Sequence, residues 1–362
     1  MDQNVIVFDH LVKIRKLRPT NTFRGLLMVV IGNALPALTS ANIFLLGESP
    51  LDKSGAPILA FEPNWRFAMR IVKTAKVAAQ NILGPRLTDL VRRAFRPRLR
   101  SLVAYRSALE SKCGLEIGGP SPMLAEGGQI PIYDVLESLD NCLYSGKTIW
   151  AGEVLEGETF HYHPGKQPGR QIISDATDLN SIKDSAYGCV IACHSLEHIA
   201  NPIRALQEWK RVLEPDGVLL LILPHKDRTF DWRRPVTPLG HMIEDYENSV
   251  GEDDLTHLPE ILELHDLSKD LLAGTKEQFE RRCLDNRINR AMHHHVFDSM
   301  AAIAIVNYVG LKILHAESLK PYHIVILSSH VHQPIDNHEF TERRSQHWKR
   351  SPFPSDQNYR GG

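Results

Sequence analysis

The chain has 362 residues, of which 43% are hydrophobic and 23% charged. That composition describes a globular protein and excludes a disordered or fibrous one. With 42 Lys+Arg against 43 Asp+Glu, bulk charge supplies no case for nucleic acid or an anionic surface as partner. The five cysteines, Cys113, Cys142, Cys189, Cys193 and Cys283, are odd in number and form no C-x-x-C pair. A reduced compartment, the cytoplasm, follows as the simpler reading.

Residues 1–64 form an irregular, turn-rich extension without a periodic pattern. Within it, residues 25–47 are apolar and follow Lys13, Arg15, Lys16, Arg18 and Arg24, the order in which signal and anchor segments begin. Asn33, Pro36, Thr39, Ser40 and Asn42 interrupt the run, and polar groups in lipid need partners. Membrane contact is therefore the less favoured reading, and a buried or loosely packed segment the preferred one. Residues 65–110 read as a basic helical lead-in carrying Arg86, Arg92, Arg93, Arg96, Arg98, Arg100 and Arg106. A solvated helix face explains such a series; a surface for an anionic ligand is the alternative.

From 111 to 330, apolar runs alternate with amphipathic segments, which predicts strand–helix repeats and a largely parallel sheet. "CGLEIGG" is the first strand, "IPIYDVL" or the residues just after it the second, and "QIISDATDL" the third. "YGCVIACHS" and "GVLLLILPH" are the fourth and fifth, their near-continuous aliphatic character suiting strands covered on both faces. Between these two, "NPIRALQEWKRVL" places Ala205, Leu206, Trp209, Val212 and Leu213 on one helical stripe, with Pro202 in the first turn. "EPDG", residues 214–217, supplies a turn. "GLKILHAESLKPYHIVILSS" holds two strands joined too tightly for a crossover helix, so they are antiparallel. The polar tail, 331–362, is expected to be loose.

Ligands of open α/β sheets sit beyond the carboxyl ends of the strands. There Gly118 and Gly119 permit close backbone approach, just after Glu116. Asp140 falls 24 positions after Glu116, about where a ribose-holding acid ends the neighbouring strand. Asp175 and Ala176, past the third strand, could touch an adenine edge. Each acid taken singly is better read as a loop or cap residue; their succession at strand ends is what argues for a nucleoside. Histidine suits proton transfer near neutral pH. His194 and His198 follow the fourth strand, His225 the fifth, and His293, His294 and His295 stand together. His194, His225, His294 and His295 are the catalytic candidates.

His194, Glu197 and His198 also spell H-x-x-E-H, an inverted zinc-protease signature. That chemistry needs a continuous helix, and Asn201-Pro202 follows within three residues, so the metallohydrolase is the weaker reading. No metal is expected; Glu197 and His198 are the residues that would hold one. The stretch 230–286 is longer than a connection requires. It reads as a lid over the cleft, with Arg233, Arg234, His241 and His265 as polar contacts, or as a helical excursion with a charged outer face.

"LEIGG", "DATDL", "SLEHIANPIRALQEWKRVLEPDG" and "LLLILPHKDRTFDWRRPVTPLGHMIEDY" together resemble class I S-adenosylmethionine-dependent methyltransferases of the type 11 group, over about residues 115–329. The resemblance implies a Rossmann-like, seven-stranded, mostly parallel sheet with helices on both faces and an antiparallel C-terminal strand. It implies S-adenosylmethionine as cofactor, with Glu116, Gly118, Gly119 and Pro120 around the methionine part, Asp140 at the ribose hydroxyls, and Asp175 and Ala176 at the adenine. Pro120 and Pro122 stand where the family's loop carries later glycines. Ubiquinone-pathway O-methyltransferases are similar here and hold a divalent ion with acids and a histidine; His194 stands in place of one acid. The expected activity is methyl transfer to a small-molecule acceptor, more readily on oxygen. A non-catalytic scaffold that retains the cofactor fold is the rival.

Overall fold

The computed structural model describes Pro97 and residues 99–270, 272–342 and 350–357. Every described residue belongs to the unit Arg96–Gly362. The apolar run 25–47 and the arginines from Arg86 to Arg98 lie outside the described residues. Among those described, no helix is long and apolar enough to cross a membrane.

Helix α1 (Leu102–Leu109) leads into β1 (Cys113–Ile117) and β2 (Ser138–Leu143). A small hairpin of β3 (Lys147–Thr148) and β4 (Gly152–Glu153) follows, then β5 (Gly157–Phe160) and β6 (Gly169–Ile173). Next come β7 (Tyr187–Cys193), α2 (Pro202–Val212) and β8 (Leu213–Pro224). After an excursion holding α3 (Leu239–Glu247), α4 (Leu258–Leu264) and α5 (Lys276–Leu284), the chain returns through α6 (Ser299–Tyr308) to β9 (Lys312–Leu319) and β10 (His323–Ser329).

Eight strands make the main sheet, in the order β5-β6-β2-β1-β7-β8-β10-β9. From β6 to β8 neighbours are parallel, while β5, β9 and β10 run antiparallel to theirs. The seven-stranded expectation thus gains one edge strand, β5, whose partly polar "GETF" gave no aliphatic signal. The second strand is formed by the residues after "IPIYDVL"; Ile130, Ile132 and Tyr133 are buried instead against the sheet face. The turn expected at 214–217 is a bulge inside β8. Tyr187 pairs with Leu213 but Cys189 already with Val218, and Asp216 takes φ +62° there.

Strand alternation sorts the core into two layers. Val190, Ala192, Leu219, Leu221, Ile324 and Ile326 face the layer containing α2 and α6. Cys189, Ile191, Leu220, Ile222, Val325 and Leu327 face Tyr105 and Leu109 of α1. Helix α2 starts where expected: the Asn201 side chain accepts from Arg204 N at 3.0 Å, and Pro202 occupies the first turn. Trp209 is fully buried and donates from Nε1 to the Ala176 carbonyl at 3.0 Å. That bond ties α2 to the loop after β6, at the carboxyl edge of the sheet.

The tail is not loose throughout. Ser351, Phe353 and Asp356 are buried, and the Asp356 carboxylate accepts from Ser299 Oγ at 2.7 Å.

Candidate active site

A cleft of 520 Å³ opens at the carboxyl ends of β1, β2, β6 and β7, floored by the 117–123 turn, within the usual size range of small-molecule sites. Strand β10 is antiparallel, so its first residue, His323, and the preceding Tyr322 reach the same rim. Trp150 of the hairpin and Arg290 complete the walls.

The opening turn is built around a buried carboxyl. Glu116 is fully buried; Oε1 accepts from Ser121 Oγ at 2.6 Å, and Oε2 from the Tyr133 hydroxyl at 2.8 Å. Burial pushes the Glu116 carboxyl up to about 7, against the opposing pull of those two donors. A side chain at Gly119 would strike that carboxylate, since its Cβ would lie 2.3 Å from Oε2. Gly118 has φ +84°, and a Cβ there would sit 2.8 Å from Ser195 Oγ. Both glycines are therefore required by the packing of the turn. Asn141 clamps it from β2, accepting from Gly119 N at 2.9 Å and donating to Gly119 O at 3.2 Å. Pro120 lines the cleft with both glycines.

Asp140 does not reach the cleft, which corrects the ribose assignment. It sits in the middle of β2, paired with Leu115, and the strand continues to Leu143. Its carboxylate accepts from Arg170 N at 2.8 Å and the Tyr187 hydroxyl at 2.7 Å. At the strand end stands Tyr144, whose hydroxyl donates to Asn289 O, and among the described residues the cleft lining contains no carboxylate. Ala176 lines the cleft, while Asp175 acts on it through Arg290: Arg290 Nη2 meets Asp175 Oδ2 at 2.6 Å. The guanidinium also lies 4.8 Å from the Tyr144 ring centroid. Burial alone would raise the Asp175 carboxyl, but the Arg290 pair overrides it and holds it below the ordinary range.

The histidines separate sharply. His194 lines the cleft at the end of β7, in a left-handed conformation with φ +55°. Its Nε2 lies 2.9 Å from His323 Nδ1, and its Nδ1 is 3.4 Å from Glu197 Oε1. Burial, then His194, pushes the His323 imidazole down to about 3. His225, His294 and His295 lie outside the lining and are corrected as catalytic candidates. His225 is fully buried, stacked on Phe353, with Nε2 3.1 Å from Asp356 Oδ1. His294 Nε2 contacts Asn286 Nδ2 at 2.9 Å, and His295 Nε2 contacts Ala200 O at 3.1 Å. Both are buried where the excursion joins the sheet, too deep to meet an acceptor.

The H-x-x-E-H residues span a strand end and a single 3-10 turn, Leu196–His198, without the helix that a protease would need. Glu197, His198 and His293 nevertheless bring ligand-type atoms within 4.8 Å of one another. His198 Nδ1 donates to Met292 O at 3.2 Å and His293 Nδ1 to Asp231 at 2.6 Å. Each bond leaves the ring's Nε2 lone pair available, the arrangement that backs metal-bound histidines. Glu197 Oε2 is buried without a hydrogen-bond partner. These residues fit a divalent ion, and His198 borders the cleft.

The excursion has its own core of Ile261, Ala273, Phe279, Cys283 and Met292. Arg233, Arg234, His241 and His265 serve its interior or surface and do not line the cleft. Arg233 stacks over Trp232, and His265 over Phe230. Arg234 is spent on Asp231, Glu260 and the His293 and His294 carbonyls. Arg290, just beyond the expected boundary, is the residue that reaches the cleft, and no spacing in the sequence announced it. Tyr322 and His323 were readable in principle, since antiparallel pairing reverses which strand end meets the rim.

Residues 158–221 match the family model described as a methyltransferase domain. No curated protein matches the chain. Among solved structures, the chain is similar to a SAM-dependent methyltransferase from Aquifex aeolicus, with 11% identity over 71% of this chain and 98% of that one, at TM-score 0.34. A SAM-dependent methyltransferase from Methanosarcina mazei shows 15% identity over 65% and 100%, at TM-score 0.37. A possible histamine N-methyltransferase from Thermotoga maritima shows 15% over 73% and 99%, at 0.33. The domain match lies across β5, β6, β7, α2 and β8, so this part of the chain is similar to a methyltransferase domain, and the cleft opens at the carboxyl edge of the same sheet.

Proposed function

We propose that the chain is a class I S-adenosylmethionine-dependent methyltransferase that methylates an oxygen of a small-molecule acceptor, with the His194–His323 pair as its base. The observation that carries this reading is the 2.9 Å contact between these two imidazoles inside the cleft, backed by Glu197 at 3.4 Å.

The cofactor, when bound, supplies an electrophilic methyl group on a sulfonium. Gly118 and Gly119 would admit its methionine part against bare backbone, Ala176 would meet the adenine, and Tyr144 stands on the ribose side. Such a transfer needs the acceptor close and aligned. Trp150, Tyr322 and Met123 supply apolar walls for that. A hydroxyl acceptor must also lose its proton. In one tautomer, His194 Nδ1–H faces Glu197 and His323 Nδ1–H faces His194 Nε2. His323 Nε2 then takes the acceptor proton while the Nδ1 proton moves to His194. The positive charge comes to rest beside the Glu197 carboxylate, where it is compensated.

The test is release of S-adenosylhomocysteine on addition of a metabolite extract, followed by fractionation to the acceptor. His323→Gln and His194→Gln should each lower turnover by about 100-fold or more, with S-adenosylhomocysteine affinity, measured by calorimetry, unchanged. Wild-type turnover in both would remove the pair from catalysis.

A further inference from the structure

The excursion after β8 holds a second group of donor side chains that methyl transfer does not use. His241 and Asp245 lie one helical turn apart on α3, hence on one face, and His257 is the residue that caps α4. His241 Nε2 is 3.1 Å from His257 Nε2 and 3.6 Å from Asp245 Oδ2. All three ligand-type atoms fall within 4.8 Å of one another.

A hydrogen bond accounts for one of these contacts and no more. One N–H between His241 and His257 satisfies that pair and leaves Asp245 Oδ2 buried without a hydrogen-bond partner. His295 does not repair this: its Nε2 is engaged by Ala200 O and stands 3.8 Å from Asp245 Oδ2. Among the described residues, no lysine or arginine pairs with Asp245. A buried carboxylate oxygen surrounded by imidazole nitrogens, with no donor, is an expensive arrangement.

We propose that His241, Asp245 and His257 bind a zinc ion that ties α3 to the start of α4. Zinc bonds of about 2.0–2.1 Å in a tetrahedron set ligand atoms about 3.3 Å apart. The two contacts, 3.1 and 3.6 Å, bracket that edge. Two imidazoles with one carboxylate suit zinc and disfavour magnesium or calcium, which seek all-oxygen shells. The fourth position is left to water, on the side where His241 is partly exposed. The backbone behind the site is already fixed: Asn201 Nδ2 donates to Asp245 O at 3.0 Å. The ion would thus hold the excursion together through residues separate from Glu197, His198 and His293.

The test is a zinc titration of the full-length protein after chelation, beside Asp245→Asn, His257→Gln and His293→Gln. Asp245→Asn keeps the shape of its side chain, so folding loss does not obscure its result; denaturant midpoints of the metal-free forms confirm this. The expected result is one zinc whose affinity falls at least about 100-fold in Asp245→Asn and His257→Gln. That zinc should persist in His293→Gln, and cobalt(II) in its place should show the intense visible bands of tetrahedral coordination. Wild-type zinc affinity in the Asp245 and His257 variants would overturn the proposal. So would loss of the ion only in His293→Gln, which would assign it to the cleft cluster.

Discussion

At the scale of single residues, the cleft depends on where carboxylates end up. Glu116 is held by two hydroxyl donors yet raised to about 7, because burial outweighs them. Its folded value lies above its unfolded one, so its stabilising contribution is complete below about pH 4.5 and is lost as pH rises through about 7. The stability of the wild type relative to Glu116→Gln, which has no such titration, should therefore fall by about 3 kcal/mol between pH 4.5 and 8. Urea unfolding at the two pH values measures this, and a pH-independent difference would contradict it. Asp140 makes the opposite case. Its two accepted hydrogen bonds, from Arg170 N and the Tyr187 hydroxyl, serve the sheet. Asp140→Ala should cost about 1–3 kcal/mol of stability while leaving S-adenosylhomocysteine affinity in calorimetry unaltered.

At the scale of elements, the aliphatic strands declared themselves and the excursion did not. Near-continuous Val, Ile and Leu in β7 and β8 leave little alternative to buried parallel strands. The N-cap Asn201 and the Trp209 stripe likewise fix α2. The glycine turn was legible because Gly118 and Gly119 answer to local geometry. Asp140 was misplaced because counting from Glu116 locates a strand but not its last residue; β2 runs three residues further, to Leu143. The histidines were unreadable for a different reason. Whether His194 faces the cleft while His295 faces Ala200 is decided by elements distant in sequence. The excursion shows this most clearly, since its order rests on Arg234, 1% exposed and bonded to Asp231, Glu260 and two carbonyls. Removing one member of a buried charged network leaves the others unpaired. Arg234→Ala should lower stability by about 3–5 kcal/mol and expose residues 230–290 to limited proteolysis, whereas Arg233→Ala, over Trp232 at the surface, should do neither.

For the domain as a whole, closure comes from its C-terminal end. Residues 350–357 bring Phe353 onto the His225 ring, with centroids 4.1 Å apart. Asp356 meets His225 Nε2 at 3.1 Å and Ser299 Oγ at 2.7 Å, and Ser355 N donates to Asp227 at 2.8 Å. One short segment thereby joins the end of β8 to the start of α6. Ending the chain after Glu342 should remove about 1.5–3 kcal/mol from the burial of Phe353. It should remove about 1–3 kcal/mol more by stranding His225 and the Ser299 donors. Because His225 lies outside the cleft, cofactor affinity well below the unfolding transition should survive the truncation. Phe353→Ala and Asp356→Asn should each reproduce part of the loss. A denaturant midpoint unchanged by truncation would show that the segment merely rests on the domain, and loss of cofactor affinity at native temperatures would instead return His225 to the site.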